Sequence, residues 1–175
     1  SPFIISTSGY KFNNAEVKII DFNLKTFIKN SIGVSIPAEA KGTLQTNCSG
    51  SFIPFKINCL GKASSNDMSV TPKPNQPLLF FKHVLAEGNA TIDTKGVYYK
   101  VTLKSDKSSG QSNGAIIYKK GFDIEYSSKH LDLKEIKKIA NLEIDGITTL
   151  SGSTKGNSKS AVFSMQVQAE NFYLS

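Results

Sequence analysis

The chain predicts a mainly β protein, an extended, curled antiparallel sheet (a β-groove) with one or two short amphipathic helices. Three observations carry that prediction. Apolar and polar residues alternate at a period of two over long stretches, as in Val97, Tyr99, Val101 and Leu103 against Tyr98, Lys100, Thr102 and Lys104. Turn formers such as Thr94-Lys95-Gly96 and Lys120-Gly121 interrupt the alternation at short intervals. Only Leu24 to Ser31 and the stretch from Leu131 to Ala140 change to helical spacing.

Taken in order, residues 3–12 and 15–22 read as strands separated by Asn13-Asn14, which tolerate a left-handed turn. Asn23 is placed to cap a helix over Leu24 to Ser31, which Gly33 closes, and Pro37 sits where a strand would begin or lie on an edge. A hairpin over Lys41 to Leu60 turns through Ser51 to Pro54, with Leu44, Thr46 and Cys48 on one parity and Phe55, Ile57 and Cys59 on the matching one. Residues 64–77 are rich in Ser, Asn, Asp, Pro and Lys and read as a loop, with a brief strand at Met68 to Thr71.

A meander follows. Strands are expected over Leu78 to Val84 and Gly88 to Asp93, then Val97 to Leu103, with a polar loop over Asp106 to Ser112. Gly114 to Lys119 and Phe122 to Tyr126 complete it. In the next segment Leu133, Ile136, Ile139 and Ala140 share a helical face opposite Lys134, Glu135, Lys137 and Lys138. Past Gly146 the period returns to two, and Ala161, Phe163, Met165, Val167 and Ala169 share one side of the last strand.

The helix-to-hairpin unit occurs twice, with Leu24 and Leu133 about 109 residues apart, which suggests repetition of one β-rich module. The expected organisation is a first β module over 1–63, the polar loop 64–77, and a second module over 78–175, together one continuous piece of a larger protein.

The net charge is +7, and all 21 basic residues are lysine. Without arginine the forked recognition of phosphate and base edges is missing, and dispersed lysines on the wet side of strands argue against nucleic acid as a partner. An enzyme is not expected. No Ser/His/Asp or Cys/His order suggests a nucleophile, no glycine-rich loop joins a strand to a long helix, and His83 and His130 stand beside Lys82 and Lys129. Neither histidine is at ligand spacing from a cysteine, so neither a metal nor another cofactor is expected. Cys48 and Cys59 fall close to facing each other across their hairpin; spacing leaves open both a disulfide and two small buried hydrophobes.

A long sheet with one greasy face must cover it, by closing as a sandwich or barrel or by curling into an apolar trough. Periodicity leaves both open. The segment LDLKEIKKIANLEIDGITTLSGSTKG followed by AVFSMQVQAENFYL resembles the recurring unit of the AsmA/TamB superfamily of bacterial envelope proteins. The matching positions include Leu131, Asp132, Leu133, Gly146, Gly152, Gly156, Phe163, Asn171 and Leu174. A GspN-like β-domain of a secretion system is a second likeness. The first resemblance implies a periplasmic β-groove, anchored to the inner membrane by a segment outside this chain, that binds or conducts phospholipid acyl chains between inner and outer membranes. Its partners would be phospholipid, further segments of the same chain stacked at the sheet edges, and envelope proteins. The lipid-facing strip would comprise Ile92, Val97, Tyr99, Val101, Leu103, Ile117, Ile124, Phe163, Met165 and Val167. The rival expectation is a closed β-sandwich serving as a scaffold or assembly module of a secretion system.

Overall fold

The structure is a computed structural model that describes residues 3–6, 9–71, 79–135 and 144–174. Ten strands lie in one sheet in chain order: β1 (Phe3–Ser6), β2 (Gly9–Asn23), β3 (Ala38–Phe52), β4 (Phe55–Val70), β5 (Leu79–Asp93), β6 (Gly96–Lys104), β7 (Ser109–Ile117), β8 (Gly121–Asp132), β9 (Ile144–Gly156) and β10 (Ala161–Leu174). Each pairs antiparallel with the next, and β1 and β10 are the two edges of a sheet that does not close into a barrel. Among the described residues one helix, α1 (Leu24–Ile32), joins β2 to β3, and one 3-10 turn (Leu133–Glu135) follows β8. Among the described residues no helix is long and apolar enough to cross a membrane.

Local chemistry explains α1. Asn23 stays extended and its side chain accepts from the Thr26 amide at 2.9 Å, while Gly33 adopts the left-handed conformation and its amide donates to Lys29 O at 3.0 Å. Ile28 and Ile32, one turn apart, share its buried face. That face does not rest on β2 and β3, to which the helix is joined, alone. With Val34 and Ile36 it forms a core cluster with Ile116 of β7 and Phe122 of β8, flanked by Val97, Tyr99, Tyr118 and Ile124. The Lys119 amide donates to Ile32 O at 3.2 Å. A segment between the second and third strands can touch the seventh and eighth only if the sheet rolls over on itself. The curl is therefore the central feature of the fold.

Glycines on the inner side make that curl possible. A Cβ placed on Gly88 would stand 2.1 Å from Lys100 O and 2.7 Å from the Val101 Cα. Neighbouring backbones approach there more closely than any side chain permits.

Several sequence expectations need correction. Asn13-Asn14 is no hairpin turn: β2 runs straight through it, and the register shift between Phe12 and Ala15, with Asn14 at φ 56°, marks a bulge. The brief strand expected from Met68 is present as far as Val70, but the loop expected before it is strand too, because the polar run Ser64 to Asp67 pairs with β3 and β5 on both sides; residues 72–78 lie outside the described residues. The sheet passes from β4 to β5 without a break. Leu79–Asp93 is one strand rather than two, and β7 starts at Ser109 inside the polar loop expected over 106–112. Of the second helix expected over Leu131 to Ala140, Leu131 and Asp132 end β8 and Leu133–Glu135 form a 3-10 turn; residues 136–143 lie outside the described residues.

Candidate functional site

The concave face of the curl is the candidate site, and the pairing register defines it. Its first row runs Phe12, Gly50, Ile57, Ile92, Val97, Ile116 and Phe122 across successive strands. The next contains Ala15, Cys48, Cys59, Ala90, Tyr99, Gly114, Ile124, Thr154 and Phe163. A third runs from Val17 through Thr46, Gly61, Gly88, Val101, Ser112, Tyr126 and Gly152 to Met165. Leu103 lies opposite Ala86 and Gly110, and Val167 opposite Leu150.

Nine of the ten residues expected along the strip therefore share this face, whatever they touch: Ile92, Val97, Tyr99, Val101, Leu103, Ile124, Phe163, Met165 and Val167. Ile117 does not. It is paired with Gly96 and Gly121, one position out of phase, and its neighbour Ile116 points into the core instead. The Ile116-Ile117 pair offers both parities, and only the position of the following turn selects between them.

The trough is not empty along its length. Val97, Tyr99 and Ile124 are packed against the cluster under α1, where Val34 is 1% exposed. Inside, Tyr99 Oη and Ser112 Oγ are hydrogen-bonded at 3.0 Å. Burial pushes the Tyr99 phenol up from its ordinary pKa, with the Ser112 bond acting weakly the other way. The sequence pattern could not supply α1's role: Ile28 and Ile32 announce an apolar helix face but not the strands it covers.

A second closure lies near the 3-10 turn. Leu131, Leu133, Thr148 and Leu150 are buried there. Glu135 is buried too and accepts from Ser105 Oγ at 3.0 Å and from the Ser108 hydroxyl, whose oxygen accepts from the Asp132 amide at 2.9 Å. These bonds tie the turn to the β6–β7 connection and leave the carboxylate satisfied. Outside, the Lys134–Asp145 contact at 2.9 Å lowers the Asp145 carboxyl and raises the Lys134 ammonium, chiefly through their shared hydrogen bond.

Away from these two closures the concave face is lined by Val101 and Leu103, both half-buried, and by Met165 and Val167 on β10, 43% and 51% exposed. Its apolar side chains are separated by Thr46, Gly61, Gly88, Ser112 and Gly152. Cys48 and Cys59 face each other directly on β3 and β4 and form a disulfide, with Cα atoms 4.1 Å apart. His83 is exposed, and its Nδ1 lies 2.8 Å from Asp106 Oδ2.

Comparison of the chain with known protein families, with curated proteins and with solved structures finds no match.

Proposed function

We propose that the chain is a non-enzymatic segment of a bacterial envelope protein that holds phospholipid acyl chains along its concave face and passes them between inner and outer membranes from the periplasm. One observation carries this reading: the sheet is curled but unclosed, and its inner apolar residues stay open along β10, where Met165 and Val167 are exposed. An acyl tail needs a line of apolar side chains and no polar partner. Burial of each methylene is worth about 0.8 kcal/mol, so partial coverage of a tail already offsets a large ordering cost. The resemblance of residues 131–174 to the AsmA/TamB unit supports the same ligand and the same compartment, and the Cys48–Cys59 disulfide suits an oxidising one. Further segments stacked on the β1 and β10 edges would lengthen the trough.

Native mass spectrometry of the purified chain, with lipid extraction from the same sample, tests the reading. Phospholipid is expected to co-purify and to be lost on Met165→Lys, an exposed position where circular dichroism should be unchanged. A lipid-free wild-type chain, or lipid retained undiminished by Met165→Lys together with Val101→Asp, would overturn the reading in favour of a scaffold.

A further inference from the structure

Lysines surround the end of the trough that α1 covers. Lys95 lies in the β5–β6 turn, Lys119 and Lys120 in the β7–β8 turn, Lys159 in the β9–β10 turn and Lys29 in the last turn of α1, and all five are exposed. Backbone amides join these segments: Tyr118 N donates to Lys95 O at 3.1 Å, Lys119 N to Ile32 O at 3.2 Å, and Ser35 N to Ser158 Oγ at 3.4 Å. Among the described residues the ion-paired cations are Lys25, Lys82, His83, Lys134 and Lys155, so none of the five is neutralised by a carboxylate. Asp93, the carboxylate at the base of the first turn, directs its Oδ1 to the Lys95 and Gly96 amides at 2.7 and 3.1 Å.

We propose that this end of the molecule docks on an anionic phospholipid bilayer through Lys29, Lys95, Lys119, Lys120 and Lys159. The inference goes beyond the trough's contents and does not depend on them. Helix-dipole compensation accounts for Lys29 but not for lysines at the tips of three separate turns. Consecutive turns on this end are two strands apart, so the three span roughly 20 Å at ordinary strand spacing. Such a row is too wide for one phosphate and suits an extended charged surface. Neighbouring turns stand about 10 Å apart, little more than the Debye length of about 8 Å at physiological salt, so their charges are only partly screened from one another. Lysine ammonium groups attract such a surface without needing directed contacts, whereas recognition of nucleic acid favours the arginine fork that the chain lacks. Docking here would set the covered end of the trough against the membrane.

Co-sedimentation with vesicles of phosphatidylglycerol and phosphatidylcholine, compared with phosphatidylcholine alone, tests the proposal. Each lysine held near an anionic surface contributes about a five-fold factor in partitioning. The variant Lys95→Gln with Lys120→Gln should therefore bind anionic vesicles roughly 25-fold more weakly. A control with the same net charge, Lys62→Gln with Lys100→Gln on exposed positions of β4 and β6, should stay within about two-fold of wild type if location rather than total charge decides. Equal losses in the two variants, binding that is indifferent to lipid charge, or no wild-type binding at low salt would each overturn the proposal. Native mass spectrometry of the same variants separates this result from the trough reading, because lipid held inside should survive the loss of surface lysines.

Discussion

The floor beneath α1 and the rim along β10 are written in the same alternation and have different surroundings. Val97, Tyr99, Ile116, Phe122 and Ile124 lie against the helix and its following segment, and Ile116 and Phe122 are nearly sealed. Phe163, Met165 and Val167 occupy the same face two to four strands further round the curl, and Met165 and Val167 remain exposed. The period of a strand determines which side chains share a face, but a cover must come from somewhere else in the chain. Here nine residues of α1 and a short connector cover one region and leave the other open.

A direct way to break that contrast is to place a carboxylate in each region. Val34→Asp puts a charge at a position that is 1% exposed, with Ile28, Ile32 and Ile36 in the same cluster. A loss of at least about 4 kcal/mol is expected, seen as a fall in Tm of about 10 °C or more. Met165→Asp, on the same concave sheet surface as the cluster's strand residues, should change stability by no more than about 0.5 kcal/mol. Comparable losses at the two sites in urea unfolding would mean that the rim is as much a core as the floor.

That same contrast sets what was legible in the chain. The alternation of Val97 to Leu103 and of Ala161 to Ala169 correctly assigned their faces, and Asn23 and Gly33 marked both ends of α1 because capping is a local matter. The facing of Cys48 and Cys59 could be read from parity within one hairpin, although parity alone left their bond undecided. What failed depended on neighbours distant in sequence. Ser64 to Asp67 and Ser109 to Ser112 carry no β signal of their own and become strand because partners on both sides supply the hydrogen bonds. Asn13-Asn14 had turn chemistry, yet a bulge uses the same left-handed residue. The target of α1 lies roughly ninety residues downstream, and no local pattern points to it.

A subtler change should loosen the cover without destroying the sheet. In Asn23→Ala the Thr26 amide loses its acceptor at the start of α1, at an expected cost of about 1 kcal/mol. The fall in Tm should be about 2–4 °C. Amide exchange should quicken at Ile28 and Ile32 while β3 and β4 keep their protection, since the sheet ladder does not need the cap. Uniform acceleration across α1 and the strands would show instead that helix and sheet open only together.

The smallest expected effect is confined to alkaline solution and reads the cover through Tyr99. Burial raises the Tyr99 phenol in the folded chain above the value near 10 of an exposed tyrosine. Below about pH 10 the phenol is neutral in both states and contributes no pH dependence. As pH rises past that point the unfolded chain releases the proton first, so the folded state binds more protons and loses stability until its own, higher pKa is reached. For this one group the slope cannot exceed about 1.4 kcal/mol per pH unit. Tyr99→Phe removes the ionisable group, so its urea midpoint should fall less steeply than that of wild type between about pH 10 and 11. If the two curves run parallel, Tyr99 is as accessible to water as the rim, and α1 does not shield the floor. If they diverge, adding Asn23→Ala should bring the wild-type slope partway toward that of the phenylalanine variant, because a loosened helix lets water reach the phenol before the sheet unfolds.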